Sequence, residues 1–479
     1  MNTKLLRQKI LDLAIRGKLT DQRKSDGTAR ELLEQISASR QPERSTKSAK
    51  SKDPTPIIPL NKSEAPFEIP NSWEWVKLGD VFNMQAGKNI AAEAIKKEYE
   101  KGLFPCYGGN GLRGYVSYYN REGDFPLIGR QGALCGNINR ATGKFYATEH
   151  AVVVEVSYGM NVPWACFFLI QLNLNQYASS TAQPGLSVAK INEVPIPLPP
   201  LAEQQRIVAK IEEAFAEIDA VEKNKELLKT HIKQTRQKIL DLAIHGKLVP
   251  QDENDEPASV LLEKILQEKV QSDNKKSPKK KKTNDITTSD NRPYEKIEGV
   301  PFEIPENWMW VKLLDLSETI QYGYNAPAKA SGRIKMVRIS DIYENEIVWD
   351  TVPFCDIDEK EIPAYLLKKN DILFARTGGT VGKSYIVDNL PEESVYAGYL
   401  IRTRYGEHIS AHYMKYFMES SLYWEQLREG CIATAQPNCN GKTLGKMRIP
   451  LPPLNEQFRI VSKIEELFST LDQMEQNLI

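Results

Sequence analysis

The chain has 479 residues, 41% of them hydrophobic and 26% charged, which is long enough for two to four domains. Its 63 basic and 63 acidic residues cancel, so any nucleic-acid footprint has to be a local patch rather than a bulk field. No apolar run reaches the ~20 residues of a membrane-spanning helix, and Trp164–Ile170 is among the longest. The N-terminus carries charges throughout and does not read as a signal peptide. Six cysteines (106, 135, 166, 355, 431 and 439) show no CxxC spacing, which fits reduced thiols in a cytoplasmic protein.

In chain order, residues 1–36 read as a half-helix with Leu6, Ile10 and Leu13 on one face and a short amphipathic extension at Leu32–Ile36. Residues 37–64 are rich in Ser, Lys, Arg and Pro without hydrophobic period, as expected of a flexible linker. A first domain is expected over 65–199. A coiled-coil helix follows over 200–248, where Ile207, Ile211, Ala214, Ile218, Val221, Leu228, Ile232, Ile239 and Leu242 keep a 3.5-residue period. Only Lys225 and Thr235 interrupt that stripe; Pro200 suits the first helical position and Gly246 the stop. Such a helix is roughly 70 Å long at 1.5 Å per residue and needs a partner. Residues 249–299 combine a second extension with a linker containing the lysine run at 275–282. That run is read as a solvated stretch, or one grazing phosphates. A second domain is expected over 300–452, and a C-terminal half-helix over 453–479 continues the heptad through Ile460, Ile464, Leu467, Leu471 and Met474.

The chain repeats itself in an unusual order. Arg7–Leu19 matches Arg236–Leu248 at 12 of 13 positions with a shift of 229, and Pro197–Glu213 matches Pro450–Glu466 at 14 of 17 with a shift of 253. The C-terminus therefore copies the first half of the central helix and the N-terminus copies its second half. Only Leu227, Leu228 and Lys229 have no copy. This predicts a circular pseudo-two-fold repeat, in which the termini build a second, split helix antiparallel to the first. Ala65–Leu78 matches Val300–Leu313 at 10 of 14 positions, and its alternating Trp73, Trp75, Trp308 and Trp310 read as core anchors of a first strand. The inserts between these frames (79–196 and 314–449) diverge. Both read as mixed α and β, with strands such as Ala151–Val156 and Asp371–Ala375 and a helix over His412–Leu427. They keep a thin shared skeleton, with Leu127–Gly136 parallel to Leu373–Gly382 and Thr181–Pro184 parallel to Thr434–Pro437.

No catalytic set emerges. Gly378–Ser384 resembles a phosphate loop, but three residues rather than four separate Gly378 from Gly382-Lys383-Ser384. His408 and His412 lack the glutamate of a zinc protease motif. Asn161-Val-Pro-Trp164 lacks the first proline of an amino-methyltransferase loop. The paired arginines carry more. Arg130 and Arg376 each end a strand and enter a glycine-rich turn, and arginine suits guanine or phosphate contact. Gln131 and Thr377 follow them, and Gln183 and Gln436 sit in matching polar turns. Two readings of the arginines stand: DNA contact, or an acid pair that holds the turn. Positions that differ between inserts, namely Asn110, Arg113, Tyr322 and Arg333, are candidates for sequence reading.

The duplicated Pro197–Val208 and Pro450–Val461, the Trp-x-Trp-Val-Lys-Leu opening of each insert and Ile128–Ala133 together resemble the specificity subunits of type I restriction-modification systems. The resemblance covers essentially the whole chain. It implies an α+β fold: two mixed target-recognition domains joined by two long antiparallel coiled-coil helices, each domain reading one half of a bipartite, asymmetric DNA site. It implies as partners double-stranded DNA, two copies of the modification methyltransferase subunit and an ATP-dependent restriction subunit, with no membrane. S-adenosylmethionine, ATP and Mg are then expected on the partners and no cofactor or metal on this chain. The stripe residues Leu6, Ile10, Ile207, Ile211, Ile218, Ile239, Leu242, Ile460, Ile464 and Leu467 are expected to serve subunit docking. The competing readings are a scaffold that holds two protein partners without touching DNA, and a nucleotide-driven enzyme that uses Lys383.

Overall fold

The computed structural model of the chain describes residues 2–39, 56–61, 65–132, 134–156, 158–179, 185–275, 297–343, 346–432 and 438–478. They fall into two compact units, Met1–Asn224 and Lys225–Ile479.

The first unit opens with α1 (Thr3–Ile15), capped by the Asn2 side chain, which accepts from the Leu5 N–H at 3.0 Å. The helix turns Leu11, Ala14 and Ile15 into the core and ends at Gly17. Gly17 has φ +67°, and a Cβ there would stand 2.4 Å from the Pro70 ring, so backbone and packing both demand glycine. Next, α2 (Ala29–Ser39) buries Leu32, Leu33 and Ile36. The tryptophan repeat forms β1 (Glu74–Lys77).

The insert of this unit is a six-stranded sheet. Its strands are β2 (Phe82–Ala86), β3 (Phe104–Gly108), β4 (Gly111–Val116), β5 (Arg121–Gly129), β6 (Ile138–Ala147) and β7 (Ala151–Val156), in the order β2-β7-β5-β6-β3-β4. All pairs are antiparallel except β3–β6. Alternate residues of β7 feed different cores: Val152 and Val154 face the helices with Ile128, while Ala151 and Val153 pack with Leu127 and Phe145. Such two-sided burial explains why this strand reads as a continuous apolar run. Helix α3 (Val162–Gln171) starts at Asn161, whose side chain accepts from the Trp164 N–H at 3.0 Å. The Asn-Val-Pro-Trp stretch is therefore a helix cap. Strand β8 (Pro195–Leu198) returns to pair with β1 and leads into α4 (Leu201–Ile244), the 44-residue helix that closes this unit and opens the next.

Within the first unit α1 lies antiparallel on α4. The Arg7 guanidinium stands 4.9 Å over the Phe215 ring and reaches Asp219 at 2.5 Å, while Thr20 donates to Glu203 at 3.0 Å. The buried Glu203 also accepts from the Trp73 indole at 2.8 Å, so one carboxylate pins the long helix to the β1 strand.

The second unit rebuilds this frame from its copied residues. Helix α5 (Ala258–Lys275) replaces α2 and buries Leu261, Leu262 and Ile265. Strand β9 (Met309–Lys312) carries Trp310 and follows the buried Trp308. Its insert holds a four-stranded antiparallel sheet made of β10 (Ser317–Tyr322), β12 (Ile372–Ala375), β13 (Ser384–Ile386) and β15 (Leu400–Tyr405), in the order β10-β15-β12-β13. A second sheet sets β11 (Ile334–Val337) between Phe354–Cys355 and β14 (Ser394–Tyr396). After α6 (Ala411–Phe417) and α7 (Ser421–Leu427), β16 (Arg448–Leu451) pairs with β9 and leads into α8 (Leu454–Gln476). The pins recur: Arg236 stacks on Phe468 at 5.1 Å and pairs with Asp472, and Trp308 donates to Glu456 at 2.9 Å. The Glu456 carboxyl titrates above its usual range because burial disfavours its charge, against the opposing bonds from Trp308 and Gln251.

Several expectations are corrected. The helix predicted over His412–Leu427 is two helices, because Ser420 turns out of α6 and caps α7 by accepting from the Tyr423 N–H at 3.3 Å. The proline segments form strands before the long helices begin, with Pro197 opposite Trp75 and Pro450 opposite Trp310. Of the linker expected over 37–64, Ile57 packs on the core and Leu60 donates to the Trp75 carbonyl at 2.8 Å. Most of that linker and most of the lysine run at 275–282 lie outside the described residues. The stripe expected to dock subunits is largely consumed inside each unit. Ile207, Ile211, Ile218, Ile239, Ile460 and Ile464 are buried, Ile10 and Leu467 pack at core edges, and Leu6 and Leu242 are half-buried. Ile207 and Ile211 belong to the first core, and Ile239, Ile460 and Ile464 to the second.

Candidate nucleic-acid interface

Each insert presents its arginine at the same kind of turn. In the first unit β5 ends at Gly129, pressed so closely on the 108–111 hairpin turn that a Cβ there would meet the Gly109 carbonyl at 2.0 Å. Arg130 follows. Its N–H donates to the His150 carbonyl at 3.0 Å, and its carbonyl accepts from the Leu186 N–H at 2.9 Å. In the second unit the Arg376 N–H donates to the Tyr399 carbonyl at 3.2 Å, and its carbonyl accepts from the Cys439 N–H at 2.8 Å. The next residues also correspond, Gln131 bridging Gly185 and Thr377 bridging Asn438. Main-chain bonds thus fix both turns and leave the side chains free to differ.

Neither arginine has a carboxylate partner among the described residues, and each keeps a buried Nε without a hydrogen bond. An acid pair is therefore not what holds these turns. Arg376 lies 4.7 Å over the Tyr322 ring, whose hydroxyl accepts from the Gly441 N–H at 2.8 Å. Tyr322, expected to read bases, lies beneath the arginine.

Three of the predicted positions converge. Asn110, Arg113 and Gln131 line one cavity of about 640 Å³ together with His150. Leu112 with Gly108, Gly109, Gly111, Gly132 and Gly185 completes its wall, so over much of it main-chain amides and carbonyls stand where side chains would otherwise shield them. Asn110, Arg113 and Gln131 are exposed. In the second unit Arg333 pairs with Glu359 at 3.6 Å, both exposed. Gln183 and Gln436 lie outside the described residues. His150 and Tyr399 were not legible in the sequence, because Thr-Glu-His-Ala and Ala-Gly-Tyr-Leu share no letter in register and only the hydrogen bonds align them.

Other candidates resolve into structure. Gly378–Thr380 is a turn between β12 and β13, with the Lys383 carbonyl accepting from the Ala375 N–H at 2.9 Å. A strand follows where a phosphate loop needs a helix N-terminus, so the nucleotide reading of Lys383 falls. His408 faces Glu268 and His412 faces Asp388, so the two histidines share no site. Cys106, Cys135, Cys166, Cys355 and Cys439 are free and buried, and burial pushes the Cys106 and Cys166 thiols up to about 11. No helix among the described residues is long and apolar enough to cross a membrane.

Residues 70–230 and 305–479 both match the type I restriction modification DNA specificity domain. The Type I restriction enzyme EcoEI specificity subunit of Escherichia coli is 26% identical over 99% of this chain and 90% of its own length. The EcoprrI specificity subunit of the same species is 51% identical over 133 residues, 28% of this chain and 33% of that protein. A chain from a structure concerning complex assembly and conformational transition of the type I R-M system shares the fold. It has a TM-score of 0.54 and 17% identity over 86% of this chain and 94% of that one.

Proposed function

The chain belongs to the type I restriction-modification DNA specificity family, and from that premise we propose that each of its two units reads one half of a bipartite, asymmetric DNA target. The chain is a specificity subunit with two target-recognition domains. One observation carries the finer reading. Two turns with the same main-chain bonding each hold an arginine without a carboxylate partner among the described residues, yet their surroundings differ. Phosphate contacts would supply affinity, and a few side chains per insert would supply discrimination. Because Gln131 in one turn corresponds to Thr377 in the other, the two half-sites differ.

The remaining assignments follow the same premise. Methylation and cleavage, with S-adenosylmethionine, ATP and Mg, belong to partner subunits: two copies of the modification methyltransferase and an ATP-dependent restriction subunit. The complex works on DNA in the cytoplasm. With the isoleucine stripe buried, the surface left for the modification subunits includes the equivalent exposed positions Val221 and Met474, 47% and 48% accessible.

Exchanging residues 79–196 for the insert of another family member tests this reading. Methylated-base mapping in a host carrying the whole complex should show one half-site changed and the other retained. Two altered halves, or none, would defeat the modular assignment. The scaffold reading predicts that the assembled complex shows no salt-dependent affinity for duplex DNA.

A further inference from the structure

Building on the reading of both units as DNA readers, we propose that His150 and Tyr399 are specificity-determining residues, one for each half-site. They hold the same place in two copies of one turn. In each unit their carbonyl receives the N–H of the turn arginine, at 3.0 Å for His150 and 3.2 Å for Tyr399. They also stand at equal distance from the strand that closes the turn, directly before Ala151 of β7 and Leu400 of β15.

Arginines present in both turns cannot by themselves tell one half-site from the other. What flanks them must do so, and this is a flanking position, like that of Gln131 and Thr377, that the fold keeps in register while its side chain changes. The frame is indifferent to that change, since only the main chain of His150 or Tyr399 is used to build it. Both side chains are available. Tyr399 is 67% accessible, whereas Tyr396, three residues earlier, is fully buried. The His150 side chain is 41% accessible and lines the glycine-walled cavity with Asn110, Arg113 and Gln131.

Their chemistry differs in a way a base edge can sense. A neutral imidazole offers one donor and one acceptor nitrogen. His150 Nε2 stands 3.2 Å from Glu149 Oε1, and the ring lines the cavity that a base edge would enter. The glycines of the cavity let that base approach the main chain closely. Tyr399 instead presents a flat apolar ring with one hydroxyl, suited to a thymine methyl or to a single acceptor.

The test uses the full chain assembled with its modification subunits, acting on a randomised duplex library whose methylated products are sequenced. For His150→Ala, discrimination at one or more positions of one half-site should fall at least about tenfold, with the other half-site unchanged. Tyr399→Ala should do the converse. Tyr399 is exposed and His150 half-exposed, so melting temperatures should hold. If an alanine variant melts early, His150→Asn and Tyr399→Phe are read instead, with the same division between half-sites expected. Base preferences left intact in both halves, or a uniform loss at every position, would overturn the assignment. A wild-type complex without any sequence preference would instead overturn the DNA reading beneath it.

Discussion

Arg376 rests 4.7 Å above the Tyr322 ring, and Arg130 has Ala86 at the strand end where Tyr322 stands in the other unit. The two arginines should therefore respond differently to removal. Arg130→Ala breaks no ion pair among the described residues, so its thermal midpoint should stay put while specific DNA binding weakens by about 1–3 kcal/mol. Arg376→Ala should lose a similar amount of binding and also melt earlier, by the ~0.5–1 kcal/mol of a partly exposed cation–π contact. Paired melts and binding titrations check both. A melting loss in Arg130→Ala that accounts for all its lost affinity would return that residue to a structural role. The arginines were legible because Gly-Arg-Gln-Gly and Ala-Arg-Thr-Gly survive as fragments of one pattern. His150 and Tyr399 were not, since position within a hydrogen-bonded lattice leaves no mark on residue type.

Among the elements, the glycines that end α1 and α4 make the sharpest case. Gly17 and Gly246 both have φ +67°, and a Cβ at either would stand 2.4 Å from a proline ring, Pro70 or Pro305. Gly17→Ala and Gly246→Ala should each destabilise by about 1–3 kcal/mol through backbone strain and overpacking. Chemical denaturation measures this, and a change under 0.5 kcal/mol would mean the proline segment simply moves aside. Here the sequence was most informative, because duplication exposed the elements: helix period, glycine stop and tryptophan strand each occur twice. It was least informative where one residue type serves two structures. The Pro-Leu-Pro-Pro segments lead into the long helices, and their first residues pair with the tryptophan strands. The apolar period over His412–Leu427 continued straight through the Ser420 cap that divides it.

For the molecule as a whole, the decisive feature is that α4 serves both units from one continuous run of 44 residues. Its first part carries Ile207, Val208 and Ile211 into the first core, and its second part carries Ile239, Ala243 and Ile244 into the second. Between the buried Ile218 and Ile232, Val221, Leu227 and Leu228 are exposed, so added length around Lys225 should be tolerated. Four residues inserted beside Lys225 lengthen a helix by about 6 Å at 1.5 Å per residue. Four is also close to one turn, so the stripe stays roughly in phase on either side. A DNA base step is about 3.4 Å. If this helix is the ruler between two readers, both half-sites should persist while the non-specific gap between them grows by about one or two base pairs. Methylated-base mapping of the inserted protein reads the gap directly. A variant that folds, assembles and still modifies the original spacing would show that the separation of the half-sites is set elsewhere.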